Sequence, residues 1–213
     1  MGDFFGERSR HILFASWQHF SLVAQCLILA TIISVLIAVL VYRNKSLSGL
    51  ANGISAVGLT VPSFALIGLL IVPVGFGVTP AVIVVTFFAA LPILRNAIVG
   101  LNNIEPTIIE SARGIGMSRL KTLVSVEIPI AWPVILTGVR ISAQMVMGVA
   151  AVVSYALGPG LGGFIFQGLS RLGGANSLES VITGVVGVVI LALILDLILL
   201  GIGRLTTPRG IRV

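Results

Sequence analysis

Residues 47–94 read LSGLANGISAVGLTVPSFALIGLLIVPVGFGVTPAVIVVTFFAALPIL, without one Lys, Arg, Asp or Glu. A single helix of that length would far overrun the ~30 Å hydrocarbon core of a bilayer. The run must therefore divide. Its turn formers cluster at Pro73-Val74-Gly75-Phe76-Gly77-Val78-Thr79-Pro80, which predicts a break between one span at Ala51–Val72 and another at Ala81–Leu101.

The flanking sequence continues the pattern. Phe20–Tyr42 is uncharged and long enough to cross a bilayer, and Arg43, Asn44 and Lys45 end it. Further spans are expected at Ile128–Ala156 and Leu178–Gly203, with a glycine-rich loop at Leu157–Asn176 between them. Over all 213 residues, 57% are hydrophobic and 9% charged, against roughly 25% charged in soluble domains. A surface with so little charge faces lipid. The expected fold is all-α, a polytopic membrane protein with five transmembrane helices in one domain over residues 20–203. Residues 1–19 form an extracytoplasmic or interfacial segment, and 204–213 a basic tail. Residues 1–19 carry charges of both signs and the apolar run after them is long, so they read as a retained start and not a cleaved signal.

The net charge of +6 comes from Lys and Arg spread between apolar runs. They form no stripe that would suit nucleic acid. Five spans place Arg43, Lys45, Arg95, Arg113, Arg119, Lys121, Arg204, Arg209 and Arg212 on one side, and Arg8, Arg10 and Arg171 on the other. The positive-inside rule then puts the N-terminus outside and the C-terminus in the cytoplasm. Cys26 is the sole cysteine, and His11 and His19 lack partners at ligand spacing, so no metal site is expected.

The longest strongly polar stretch is 102–128, on the cytoplasmic side. Thr107 and Glu110 have capping-box spacing, Gly114 and Gly116 suit a helix end, and Ser118 suits the cap of a second helix running to Pro129. A short exposed helix bearing Ile108, Ile109, Ser111 and Ala112 fits a partner's groove. A DNA-binding helix-turn-helix does not fit, because tethering between two spans holds the segment against the membrane.

Within this loop, Glu110-Ser111-Ala112 is followed by Gly116 and then by Val126-x-Ile128-Pro129. The spacing resembles the cytoplasmic motif of ABC importer permeases: Glu-Ala-Ala, three residues, Gly, nine residues, Ile-x-Leu-Pro. Ser111, Val126 and Ile128 are mild departures. Thr60–Leu66, Ala90–Asn96 and Thr137–Arg140 further resemble the osmoprotectant branch, which imports glycine betaine, carnitine or choline. The resemblance implies a type I importer permease fold in a prokaryotic inner membrane. Glu110, Ser111, Ala112, Gly116, Val126, Ile128 and Pro129 would then couple to a separate ABC ATPase. The implied partners also include an extracytoplasmic substrate-binding protein and a second permease subunit, identical or paralogous. The chain has no G-x-x-x-x-G-K-[ST] segment. It is therefore expected to be a transport subunit and not an enzyme, without a cofactor of its own, ATP and Mg being held by the ATPase. A permease for methionine or another amino acid, and a passive channel or structural subunit, are the alternatives.

Two charges lie inside predicted spans. Arg140 is about 16 Å past Pro129 and Asp196 about 12 Å before Arg204 along a helix, so their depths are comparable. An unpaired charge there costs at least ~2.5 kcal/mol. The two either pair or each find polar partners, as packing elements or as part of a solute path. Pro62, Ser63, Phe64 and Tyr155 are the candidate path residues. A quaternary ammonium would favour aromatic faces, and Phe64, Phe87, Phe88 and Tyr155 are the candidates within spans.

Overall fold

A computed structural model describes residues 2–207. Met1 and 208–213, including Arg209 and Arg212 of the expected basic tail, lie outside the described residues. Among the described residues every regular element is helical, as expected where lipid offers no partner for a free backbone N–H or C=O. The elements are α1 (Gly2–Val41), α2 (Lys45–Gly58), α3 (Ser63–Val74), α4 (Val78–Asn102), α5 (Pro106–Gly114), α6 (Arg119–Thr122), α7 (Ile128–Val153), α8 (Gly162–Ser170) and α9 (Ser177–Thr206). A π-helical turn at Leu123–Glu127 joins α6 to α7.

Four helical stretches are long and apolar enough to cross a membrane, and α2 with α3 forms a bent fifth. The contacts show how the chain runs. At one end of α7, Arg43 pairs with Glu127. At the other, the Gly77 amide donates to the Ala156 carbonyl at 2.8 Å. Glu127 and Ala156 are about 43 Å apart along the helix, so α2 and α3 together carry the chain from one end of the bundle to the other. Trp132, near the start of α7, donates to Thr206 at the end of α9. The ends of α1 and α9 therefore both lie beside the start of α7, at one end of the bundle, and the start of α1 lies at the other, against Leu161 and Phe164.

Two expectations need correction. The expected straight span at Ala51–Val72 is bent by 94° between α2 and α3. Pro62 sits at the break in extended conformation (ψ 124°), and a proline pushes the residue before it out of the helical region. Residues 2–19 join the first span in one unbroken helix. Helix α1 is continuous through Phe20, and Phe4 and Ala15 are buried with Leu161 and Phe164. The glycine-rich loop at Leu157–Asn176 contains a helix, α8.

The core centres on α4 and α7. A Cβ on Gly138 would lie 2.7 Å from Asn96 Cβ and 3.0 Å from the Pro92 carbonyl, so only glycine allows the two helices this close. Pro92 has no N–H to give its own helix. Side-chain donors gather on the carbonyls nearby: Ser142 on Ala89 at 2.7 Å, Ser34 on Ala90 at 3.0 Å and Asn96 on Pro92 at 2.8 Å. The first two tie α7 and α1 to α4 where that helix is weakest, and the third braces α4 itself.

Gly138→Val is expected to destabilise the bundle by about 1–3 kcal/mol through overpacking. Gly49→Ala, with open space at its Cβ, should not. Thermal unfolding of the two variants in detergent checks the contrast.

Candidate functional site

The loop between α4 and α7 is built by backbone chemistry at three points. Helix α5 begins at Pro106, whose missing N–H costs nothing in a first turn. The expected capping box is not formed. Thr107 lies inside the helix and its carbonyl accepts from Ser111 Oγ at 2.7 Å, while Glu110 is exposed. At the other end, the Met117 amide donates to Ala112 (3.1 Å) and the Gly116 amide to Arg113 (2.9 Å). This is a Schellman ending, with Gly116 at φ +86° in the left-handed position that glycine takes without strain. Gly114 is simply the last helical residue. Ser118 caps α6, its Oγ accepting from the Lys121 amide at 3.3 Å.

The seven proposed coupling residues divide by burial. Glu110, Ser111 and Gly116 face solvent, and Ala112 is the buried anchor of α5. Val126, Ile128 and Pro129 are half-buried at the base of α7. Ile109 packs inward. Ile108 is exposed, and so are two residues the sequence reading passed over, Ile115 (80%) and Leu120 (69%). These apolar side chains stand at the polar end of the molecule, where lipid does not explain them.

Glu127 was also passed over as a site residue. It is fully buried. Its carboxylate accepts from the Tyr42 hydroxyl at 2.6 Å and from Arg43 Nη2 at 2.8 Å, while Arg43 Nε donates to the Tyr42 oxygen. Burial alone would lower the Arg43 pKa. Its contacts with Tyr42 and Glu127 outweigh that and hold it above its usual value. The network fastens the end of α1 to the π-helical turn that leads from the loop into α7. Such turns form where the helical ladder slips by one residue, and Pro129 follows two residues later.

In the middle of the bundle Arg140 and Asp196 meet. Nε donates to Oδ1 at 3.0 Å and Nη2 to Oδ2 at 3.1 Å. Gln144, one turn along α7, adds a third bond at 3.3 Å. The Arg140 side chain is 35% and that of Asp196 21% exposed in the single chain, so the pair lies on the flank of the subunit and not in its core.

Of the candidate path residues, Pro62 and Ser63 form the α2–α3 bend. Phe64 and Tyr155 are brought together, ring centroids 4.9 Å apart. Phe88 is buried against Phe87 and sits in the core. Among the described residues no group of three or more His, Cys, Asp or Glu could hold a metal. His11 lies against the Phe164 ring, and buried His19 Nε2 donates to the Met147 carbonyl at 3.2 Å.

Residues 30–207 match the family described as binding-protein-dependent transport system inner membrane component. The chain is 35% identical over 209 residues to a carnitine transport permease protein, OpuCB of Listeria monocytogenes, covering 98% of this chain and 94% of the relative. It is 38% identical over 202 residues to an osmoprotectant import permease protein, OsmW of Salmonella typhimurium, covering 92% of each. A choline transport system permease protein, OpuBB of Bacillus subtilis, is 34% identical, covering 94% and 91%. Among solved structures, an inward-facing form of the MetNI methionine ABC transporter superposes with a TM-score of 0.76 at 22% identity, over 92% of this chain and 96% of that one. A second crystal form of that transporter gives 0.78 at 20% identity, over 95% and 99%. The architecture is thus that of a type I importer permease. The chain belongs to the binding-protein-dependent transport system inner membrane component family: it is a multi-pass permease subunit of an ABC importer.

Breaking the Tyr42–Arg43–Glu127 network should be asymmetric. Arg43→Ala strands a buried carboxylate and is expected to cost ~3 kcal/mol. Glu127→Ala leaves Arg43, 44% exposed, able to rehydrate, and should cost ~1 kcal/mol. Thermal unfolding in detergent reads the order, and equal losses would contradict it. For Arg140 and Asp196, a double-mutant cycle should return a coupling of about 0.5–3 kcal/mol.

Proposed function

We propose that this permease imports osmoprotectants of the glycine betaine, carnitine and choline type, and that its 102–128 loop docks on a separate ATPase. The substrate reading rests on the named relatives, which agree on this class of solute at 34–38% identity over nearly their whole lengths. The methionine transporter shares the fold at 20–22% identity, which supports architecture and not cargo. A passive channel leaves the loop's surface unexplained.

One observation carries the docking reading. Ile108, Ile115 and Leu120 are exposed around a helix held rigidly by Pro106 and the Gly116 ending. A rigid apolar helix outside the lipid suits insertion into a groove on a partner. That partner is an ABC ATPase subunit holding ATP and Mg, and hydrolysis occurs there. An extracytoplasmic binding protein delivers solute, and a second permease, identical or paralogous, completes the pathway. Closure of the ATPases would draw the loops together and rock the bundles between inward- and outward-open states.

Orientation follows from charge. The loop end of the bundle carries Arg43, Lys45, Arg113, Arg119, Lys121 and Arg204, and by the positive-inside rule this supports a cytoplasmic loop and an outside start of α1. The membrane is the inner membrane of a prokaryote.

Purified with its ATPase, the permease should support hydrolysis that depends on a loaded binding protein. Choline, carnitine and betaines should stimulate it and amino acids should not. Stimulation by methionine alone would overturn the substrate reading. Gly116→Asp adds a strained side chain at φ +86°, so it should insert normally and bring uptake to background. Wild-type uptake by that variant would remove the loop's coupling role.

A further inference from the structure

At the end of the bundle opposite the loop, the chain makes an aromatic corner. Helix α7 tightens into a single 3₁₀ turn, Ser154–Ala156, and Leu157 follows at φ +60°. A leucine in the left-handed region is costly and points to a constraint imposed there. The turn leaves the Tyr155 ring outside the core, 53% exposed. Phe64 of α3 lies 4.9 Å from it, and Phe166 of α8 lies 5.4 Å from it, edge to face. Three elements distant in sequence thus meet through three rings. Helix α8 is seated rigidly, since a Cβ on Gly162 would run into the Ala151 carbonyl.

Tyr155 and Phe166 line a cavity of about 540 Å³, open on one side, with Ser154, Gln167 and Ser170 also in its wall. That volume suits a small solute. None of the described lining residues is charged. Ring faces attract a cation held against them, and polar side chains serve a hydroxyl or carboxylate nearby. Without an acidic group the cation is attracted but not trapped, which is what passage requires.

We infer that this cavity receives the quaternary ammonium head of the solute on the outer face of Tyr155 and Phe166, as it passes from the binding protein into the permease. Choline, carnitine and glycine betaine share that trimethylammonium group. The inference rests on the osmoprotectant reading above. It assigns recognition to Tyr155 and Phe166, with Phe64 a positioning residue against the Tyr155 ring.

The test is initial uptake of radiolabelled choline and glycine betaine by proteoliposomes holding the whole transporter and supplied with binding protein. Tyr155→Leu and Phe166→Leu are compared with Tyr155→Phe and Phe166→Tyr, at matched amounts of assembled complex. The leucine variants should lose roughly threefold to tenfold at sub-saturating solute, and the ring-preserving variants should keep wild-type rates. If Phe166→Leu does not assemble, Tyr155→Leu carries the comparison, because that ring is half exposed. Wild-type uptake in the leucine variants overturns the inference. So does an equal loss in the ring-preserving variants, which would make the rings packing elements. If the wild-type transporter hydrolyses ATP in response to its binding protein but takes up no quaternary ammonium solute, the substrate reading falls and the site falls with it. Uptake by wild type with indifferent leucine variants removes the site alone.

Discussion

The close approach of α4 and α7 is the constraint on which the other helices depend. Inside a bilayer, helices gain nothing from hiding apolar surface, because lipid is as apolar as they are. They associate where backbones can touch and polar groups can be shared. Gly138 permits the approach, and Ser142 reaches across to the carbonyl of Ala89. Pro92 then makes the seam both weak and useful. It removes one N–H from the α4 ladder, and α1 is recruited to the neighbouring carbonyl of Ala90 through Ser34. Ser34 thus adds a hydrogen bond to the packing of α1 on this pair, beside the apolar contacts of Leu22, Val23, Cys26, Leu27 and Ala30.

The seam leads downward to the Tyr42–Arg43–Glu127 network. Glu127 is fully buried and its partners come from the end of α1. A carboxylate in that position is tolerable only with its hydrogen bonds intact. The π-helical turn, the end of α1 and the start of α7 are thereby held in one arrangement. On the docking reading, a push on α5 reaches the bundle through this joint, since α6, the turn and α7 are continuous helix. The joint is a physical connection of the kind coupling needs, and it stands between the exposed loop and the membrane.

The long spans were legible because apolar runs end in charge. The predicted Ala81–Leu101 and Leu178–Gly203 lie within α4 and α9, missing only a few residues at each end. The loop's two helices were legible from Gly116 and Ser118, whose roles are set by their own backbone neighbours. The bend at Pro62 was not, since hydropathy is unchanged across it. Helix α8 was hidden by its glycines, of which Gly162 and Gly168 serve close packing. The early start of α1 was masked by Arg8 and Arg10, which mark a polar environment but do not stop a helix. Glu127 read as one more polar loop residue because its partner Arg43 is 84 positions away. Arg140 and Asp196 were legible as a problem, two charges at one depth. Gln144, one helical turn from Arg140, was within reach by spacing, but only the fold shows its bond to Asp196 and the pair on the subunit's flank.

That flank position says something about assembly. A charged pair about a third exposed at the middle of a bundle is poorly suited to lipid, where even a paired charge lacks solvation on its open side. Much of the rest of the outer surface, especially along α9, is leucine, isoleucine and valine, as lipid contact demands. The two kinds of surface coexist on one subunit because they have different neighbours. On the proposed assembly of two permeases around a path, the Arg140–Asp196–Gln144 flank belongs toward the second subunit or the water between them. The purely apolar flank belongs toward the bilayer. On that assembly, covering the pair with protein or water avoids the energetic cost of exposing it to hydrocarbon.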